Sequence, residues 1–216
     1  MKYNIDQVFG TPLICTVIKD DTSELLKHNH TNEFIASSNQ LLENPKWYNT
    51  WEFNIRSLEN YPDTRDVLLK AFTTFAHDSF GLDHTFGMST SWFTITRKGE
   101  RVNKHRHRNS FWTGVYYYDE EYEERNGAAL ELHHPLPYYG DYFLKPSRGN
   151  KLNFLNYFIR PEPKLLVLFP SYVEHAVTEY LGDYPRHSIA FNIVPTSEYG
   201  QGDSMNNFSW HNNGTT

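Results

Sequence analysis

Residues 90–118 read TSWFTITRKGERVNKHRHRNSFWTGVYYY, and this stretch contains two histidines one residue apart, His105 and His107. The segments on either side alternate between small polar and apolar side chains, as β-strands do. Side chains at positions i and i+2 of a strand point to the same face, so both imidazoles could bind one metal ion. A second pair with this spacing, His28 and His30, shows that the spacing alone is a weak signal.

A second stretch, residues 169–192, reads FPSYVEHAVTEYLGDYPRHSIAFN. Its composition predicts two short strands joined by a turn over 181–185. A hairpin folded at this turn would place Arg186 across the ladder from His175 or a few residues along it, roughly 5 to 14 Å away on strand spacings. Such a gap suits a small dicarboxylate that chelates a metal at one end and is bound by the guanidinium group at the other.

These two stretches resemble the iron(II)- and 2-oxoglutarate-dependent oxygenases, whose signature is His-x-acid, a distant histidine and an Arg-x-Ser pair shortly beyond it. The resemblance covers residues 88–195, with a looser similarity at residues 8–13. Within that superfamily the chain is similar to a small branch of hydroxylase-like members that are often phage-encoded.

The resemblance assigns roles to individual residues. It implies that His105 and His175 bind iron and that Arg186 binds the distal carboxylate of 2-oxoglutarate. Ser188 and Tyr117 would assist in binding the same co-substrate. Iron(II) and 2-oxoglutarate are therefore the expected cofactors, and ascorbate is included with them.

His107 departs from the family pattern, because it occupies the position where Asp or Glu is expected. Two histidines and one carboxylate on one face are typical of non-haem iron oxygenases. A neutral imidazole in place of the carboxylate makes the site one unit more positive and weakens its selectivity for iron over zinc, nickel or copper. We expect His107 to be the third metal ligand. The alternatives are a group beside the metal, with water or an anion as the third ligand, and a solvated strand residue.

The fold implied by the resemblance is a double-stranded β-helix, the jelly-roll barrel that cupins share, mainly β with flanking α. A chain of 216 residues suits one such domain over residues 1–216. We expect an N-terminal strand and supporting helices in 1–87 and the jelly-roll core in 88–197. A lid-like insertion at 135–164 and a loosely ordered tail at 198–216 complete the prediction.

Two helices are expected before the core. Apolar residues at helical spacing predict a helix over 63–80, with Asp63 or Thr64 as its N-cap and Gly81 as its end. An N-cap within 21–23 predicts another helix that starts at Glu24 and continues toward Leu42. In a helix, His28 and His30 would point in different directions and could not share a metal.

Period-two alternation predicts which side chains face the barrel interior. In the run Tyr116–Tyr118 alternate rings face opposite sides, and the resemblance implies that Tyr117 is the one that faces inward; the alternative is that all three are ordinary sheet aromatics. The last core strand should place one set of residues inside and another outside. The inward set is Arg186, Ser188, Ala190 and Asn192, and the outward set is Ile189, Phe191 and Ile193. Further strands are expected at 13–18, 89–96, 112–118, 128–133 and 165–169.

Glu131, His133 and His134 are rival metal ligands, but the resemblance places their strand across the barrel and away from the iron. The acidic run 119–124 is interpreted as a solvent-facing segment. The aromatic and proline-rich segment 135–164 is interpreted as a lid over the pocket. Packing on the barrel exterior and a homodimer contact are the alternatives for that segment.

Composition limits the partners of the chain. A net charge of −6 and the lack of a long basic run make nucleic acid a poor candidate. The single cysteine, Cys15, rules out an intrachain disulfide framework and fits a reducing compartment. No stretch is apolar enough for a membrane span. We therefore expect a cytoplasmic protein, located in the host cytoplasm if it is phage-encoded.

The function predicted from sequence is that of a non-haem Fe(II)- and 2-oxoglutarate-dependent dioxygenase that hydroxylates a small-molecule or peptidyl substrate, with prolyl hydroxylation as one form. Two alternatives come from other classes. A cupin-type metalloenzyme with three histidines would explain His107 but leaves Arg186 without a purpose. A non-catalytic jelly-roll binding module would make the histidines incidental.

Overall fold

Strands dominate the structure because period-two alternation continues through most of the chain. The computed structural model describes residues 10–28, 34–35, 56–122, 128–135, 147–150 and 153–207. Within these ranges lie one α-helix, α1 (Pro62–Phe80), and twelve strands. In chain order the strands are β1 (Ile14–Val17), β2 (Phe34–Ile35), β3 (Phe86–Thr96), β4 (Val102–His105), β5 (Trp112–Tyr116), β6 (Leu130–His133), β7 (Asn156–Ile159), β8 (Leu165–Pro170), β9 (His175–Val177), β10 (Arg186–Pro195), β11 (Glu198–Tyr199) and β12 (Asn206–Asn207).

Ten of these strands form two sheets. The larger sheet has the order β1-β8-β5-β10-β3-β2, and the smaller has the order β4-β9-β6-β7. Neighbouring strands are antiparallel except for β2, which runs parallel to β3. From β3 to β10 the chain crosses from one sheet to the other at every connection except the one between β6 and β7. This alternation is the predicted jelly roll, and the mainly β fold class is confirmed.

The interior between the two sheets is filled by one apolar cluster. The larger sheet contributes alternate residues of β5 and β8 and the residue after β5, and the smaller sheet contributes alternate residues of β6. Period two is the reason, since every second side chain of a strand faces the opposite sheet. The central members are Val115, Tyr117, Leu130, Leu132, Leu165, Val167 and Phe169.

The outer face of the larger sheet is covered by α1. Leu68, Phe72 and Ala76 of the helix are fully buried and belong to a second apolar cluster. The sheet residues of this cluster alternate with those of the interior, and they include Tyr116, Tyr118, Leu166, Leu168, Ile189, Phe191 and Ile193. The predicted inward and outward sets of β10 are therefore correct, and so is the inward direction of Tyr117.

The prediction that β9 and β10 form a hairpin ladder is wrong. β9 pairs with β4 and β6, whereas β10 pairs with β3 and β5. The turn at 181–185 therefore connects the two sheets. The lengths of the strands agree with this, since β10 pairs with the long strand β3 over ten residue pairs, whereas β9 has only three residues. Arg186 lies in the larger sheet and His175 in the smaller one.

The end of α1 agrees with the prediction, but its beginning does not. Gly81 adopts a left-handed conformation with φ of 63°, and its N–H donates to His77 O. At the other end, no side chain of Asp63 or Thr64 caps the helix; the N–H of Thr64 donates to Oε1 of Glu24 at 2.7 Å. The cap therefore comes from a segment 40 residues upstream.

Two other predicted segments differ in part from the structure. The N-terminal helix is a short 3-10 helix, Ser23–Lys27, and its expected continuation toward Leu42 falls mostly outside the described residues, as does His30. The segment 135–164 contributes a regular strand, β7, to the smaller sheet, while residues 136–146 and 151–152 lie outside the described ranges. Within the described residues, no helix is long and apolar enough to cross a membrane.

Candidate metal centre

Two of the predicted ligands lie directly opposite each other in the smaller sheet. His105 is the last residue of β4, His175 is the first residue of β9, and the two are paired in the ladder. Directly opposed residues of antiparallel strands point to the same face, and the ring centroids are 4.3 Å apart.

His107 reaches the same place from the loop after β4. Its backbone N–H donates to Ser171 O at 3.1 Å, which fixes the loop against the end of β8. The His107 ring lies 5.4 Å from the ring of His105 and 5.1 Å from that of His175. One possible ligand atom from each of the three histidines lies within 4.8 Å of the others, and no other such metal-binding group occurs among the described residues.

Each imidazole has its Nδ1 engaged in a hydrogen bond. Nδ1 of His105 lies 2.8 Å from Asn103 O, and Nδ1 of His175 lies 3.1 Å from Val173 O. Nδ1 of His107 lies 2.6 Å from Oδ1 of Asn192. Carbonyl and amide oxygens accept hydrogen bonds, so each Nδ1 carries the proton and each Nε2 retains a lone pair for a metal.

Burial keeps the inner imidazoles neutral. Desolvation, with the neighbouring His105 as a further cause, lowers the pKa of His175 to about 3. Desolvation also lowers the pKa of His107. Neutral imidazole is the form that binds metal ions, so no proton has to be displaced from these rings near neutral pH.

The donor set fits a first-row transition metal. Two nitrogens bound to one ion at about 2.1 Å can be at most roughly 4.2 Å apart, and the three candidate ligand atoms lie within 4.8 Å of one another. Imidazole suits iron, zinc, copper and nickel, and three protein ligands leave positions open for substrate. The residues therefore fit a catalytic type of metal site better than a closed structural one.

Arg186 is buried in the larger sheet without a carboxylate partner. Its side chain is 3% exposed, and its Nη1 donates to Oγ1 of Thr96 at 3.1 Å. Its Nε has no hydrogen-bond partner, and no carboxylate among the described residues forms an ion pair with it. A buried charge without a counter-charge is costly, so this guanidinium is prepared to bind an anion.

Tyr117 and Ser188, the two residues predicted to assist Arg186, differ in their hydrogen bonds. The guanidinium lies over the ring of Tyr117, with Cζ 4.9 Å from the ring centroid. The hydroxyl of Tyr117 is buried and has no hydrogen-bond partner, and burial raises its pKa. Ser188 is also buried, but its Oγ is already engaged by Oγ1 of Thr94 at 2.6 Å.

Of the two cavities described next, one is lined by Arg186 and the other by none of the predicted site residues. Arg186 lines a cavity of about 190 Å³, together with Asp119, Glu121, Tyr122, Tyr180, Tyr184 and Pro185. Of the two acidic side chains there, that of Asp119 accepts hydrogen bonds from the backbone N–H and ring of His187. A larger, shallow hollow of about 700 Å³ runs along α1 and contains none of the predicted site residues.

The rival ligands are not part of the histidine cluster. On β6, Leu132 is paired with His175 and faces the interior, so Glu131 and His133 face the other side of the smaller sheet. Nε2 of His133 lies 3.8 Å from Oε1 of Glu131. His28 is stacked on Phe93, outside the barrel interior.

Sequence reasoning missed the contacts made by Asn192. Its inward direction followed from the alternation of β10, but its hydrogen bond to His107 joins residues 85 positions apart. Thr113 adds a second contact, with its Oγ1 3.1 Å from Nδ1 of His107. An amide on the inward face of the last core strand is the signal that could have pointed to this contact.

Comparisons with known proteins agree with the site. Residues 90–192 match a family described as "Putative 2OG-Fe(II) oxygenase". No curated protein matches the chain.

Three solved structures are similar to parts of the chain. A 2OG-Fe(II) oxygenase family oxidoreductase from Burkholderia pseudomallei has 13% identity and a TM-score of 0.42, over 56% of this chain and 50% of that one. A Pseudomonas putida prolyl-4-hydroxylase has 18% identity and a TM-score of 0.41, over 60% and 64%. A Trichoplax adhaerens prolyl hydroxylase in complex with a hypoxia inducible factor peptide fragment has 16% identity and a TM-score of 0.41, over 58% of this chain and 52% of that one. The chain thus spans between half and two thirds of these proteins.

The family match begins in β3, includes all three clustered histidines and Arg186, and ends at Asn192 in β10. Residues 90–192, just under half of the chain, are therefore similar to the 2OG-Fe(II) oxygenase family.

Proposed function

We propose that this chain is a non-haem Fe(II)- and 2-oxoglutarate-dependent dioxygenase that hydroxylates its substrate. The observation that carries the proposal is the combination of three convergent imidazoles with a buried arginine that has no carboxylate partner among the described residues. A metal site alone fits many reactions, and a buried cation alone fits many anions. The two together, in facing sheets of one barrel, match a co-substrate with a chelating end and a carboxylate end.

In this proposal His105, His107 and His175 hold the metal through their Nε2 atoms. The hydrogen bonds at the three Nδ1 atoms keep the rings in the required tautomer and orientation. Iron(II) bound there would supply the activation of oxygen that the hydroxylation needs. The protein contributes the open coordination positions and a partly buried setting, since His175 is 5% exposed.

Arg186 binds the distal carboxylate of 2-oxoglutarate. Its guanidinium group can donate two parallel hydrogen bonds to a carboxylate, which fixes both the position and the direction of the co-substrate. The hydroxyl of Tyr117 lies beside this guanidinium and has no other partner, so it can donate a third hydrogen bond. Ser188, engaged with Thr94, would assist after a rotation of its hydroxyl.

The substrate is a small molecule or a peptidyl group, and a prolyl-hydroxylase-like reaction is one form that we propose. The described cavities contain no feature that separates these substrates. A three-histidine metalloenzyme that does not use 2-oxoglutarate accounts for His107 equally well. It leaves the buried guanidinium of Arg186, which forms no ion pair with a described carboxylate, without a role, and for that reason we favour the oxygenase.

The direct test is the binding of 2-oxoglutarate to protein loaded with iron(II) without oxygen, measured by calorimetry. Glutarate, which lacks the 2-oxo group, and pyruvate, which lacks the distal carboxylate, are the matched ligands. We expect 2-oxoglutarate to bind more tightly than either, and succinate to be released when oxygen is admitted. Equal binding of all three ligands, or no succinate release with or without added substrates, would contradict the proposal.

A further inference from the structure

His107 differs from the other two clustered histidines in what holds its Nδ1. His105 and His175 donate to backbone carbonyls, of Asn103 and Val173. His107 donates to a side chain, with its Nδ1 2.6 Å from Oδ1 of Asn192. The orientation of this one ligand therefore depends on the identity of side chains, on Asn192 in β10 at 2.6 Å and on Thr113 in β5 at 3.1 Å.

The amide of Asn192 is itself held in place from both ends. Its Nδ2 donates to Oγ1 of Thr90 at 2.8 Å, across the β3–β10 ladder. The hydroxyl of Thr113 donates to its Oδ1 at 3.2 Å. With the amide nitrogen bound to Thr90, the oxygen faces His107 and can only accept a hydrogen bond. The proton of His107 is thus kept on Nδ1, and Nε2 is left for a metal.

An imidazole ligand needs a hydrogen-bond acceptor for its second nitrogen, whereas a carboxylate ligand would need a donor for its second oxygen. The second nitrogen of a partly buried imidazole needs a hydrogen-bond partner. That hydrogen bond also fixes the tautomer in which the other nitrogen has a lone pair for the metal. The chain has His107 where the family pattern has an acid, and it has an acceptor 2.6 Å from the nitrogen that this change introduces.

We propose that Asn192 is a positioning residue for the third metal ligand: through Thr90 and Thr113 it holds His107 with Nε2 available, and it thereby sets the metal affinity of the site. The proposal rests on the proposed metal-binding role of the histidines. It adds a residue that touches neither the metal nor the co-substrate and acts only through His107.

The test measures the affinity for cobalt(II), as a spectroscopic probe, and for iron(II) without oxygen. Asn192→Leu should weaken both by roughly 10- to 100-fold, which is the usual effect of losing a partner of a metal ligand. Asn192→Asp, which can only accept, should bind as tightly as the wild type or more tightly. The matched control is Asn156→Leu, because Asn156 is exposed in β7 and donates to Glu131; its affinity should not change.

A double-variant cycle separates positioning from a general structural effect. In a His107→Ala background, Asn192→Leu should cause no further loss of metal affinity, because the residue through which it acts is gone. A further loss of tenfold or more in that background would overturn the proposal, as would unchanged affinity of the single Leu variant.

Two further results complete the test. If the Leu variant does not fold, Thr90→Val takes its place, since it leaves Asn192 present but frees its amide; a several-fold loss of affinity is expected, and no loss would overturn the proposal. If the wild-type protein binds neither metal, the proposed function fails and takes this inference with it. If the wild type binds the metals, but the Asn192 and Thr90 variants bind them with unchanged affinity, this inference fails and the proposed function stands.

Discussion

His105 and His175 are directly paired residues of β4 and β9, and their rings are 4.3 Å apart although 70 residues separate them in the chain. His175 is the buried member of this pair, whereas His105 is exposed. We expect His175→Ala to weaken metal binding by more than the roughly 100-fold that the loss of an outer partner can cause. Metal content after purification without oxygen, together with titration of the metal-free protein, measures the effect.

His133→Ala is the control for that variant. His133 lies on the neighbouring strand β6, but it faces away from the interior and lies near Glu131. Its removal should leave the metal affinity within about twofold of the wild type, in line with surface changes that touch no ligand. If both variants lost metal equally, the ligand set would have to include the other face of the sheet.

Arg186→Lys should weaken 2-oxoglutarate binding far more than metal binding. A lysine cannot reproduce the two parallel hydrogen bonds of a guanidinium group, and a lost charge-assisted hydrogen bond is worth about 1.5 to 3 kcal/mol, or roughly 10- to 100-fold in affinity. Calorimetry with the metal-loaded protein gives both affinities. Arg101→Lys, at an exposed position of the loop before β4, is the matched control. Equal losses of metal and co-substrate in the Arg186 variant would count against its role.

The sequence predicted the direction of side chains well because local alternation shows which of them share a face, and for Tyr117 the resemblance indicated that this face is the interior. Tyr117 faces the interior while Tyr116 and Tyr118 face α1, as period two requires. The same rule placed Arg186 and Asn192 on the inner face of β10. These predictions needed no knowledge of which strand lies beside which.

Partner choice could not be predicted in the same way, because it depends on segments distant in the chain. β9 and β10 follow each other closely, yet they enter different sheets. Likewise, the cap of α1 comes from Glu24, and the partner of His107 comes from Asn192. Each is a contact between residues 40 or more positions apart, and no local pattern encodes it.

Gly114 of β5 is required by its neighbour Phe191. The two residues are paired between β5 and β10, and a Cβ at position 114 would overlap the ring of Phe191. Gly114→Ala should therefore lower the free energy of unfolding by about 1 to 3 kcal/mol, the usual effect of overpacking a core. Urea denaturation measures the change. In a Phe191→Leu background the same substitution should be less destabilising, and an unchanged effect would show that the ring is not the cause.

We expect Tyr116→Phe to change the stability and Tyr117→Phe to change the 2-oxoglutarate affinity, although the two residues are adjacent. The hydroxyl of Tyr116 is bound to Oγ1 of Thr22 at 2.7 Å, so its removal should lower the free energy of unfolding by about 1 kcal/mol and leave 2-oxoglutarate affinity unchanged.

The hydroxyl of Tyr117 is buried without a partner beside Arg186, so its removal sacrifices no hydrogen bond in the protein without co-substrate. It should leave stability intact and weaken 2-oxoglutarate binding by roughly 5- to 10-fold, the worth of one hydrogen bond. Denaturation and calorimetry on both variants separate the two roles, and a Tyr117→Phe protein with full co-substrate affinity would remove Tyr117 from the proposed binding site.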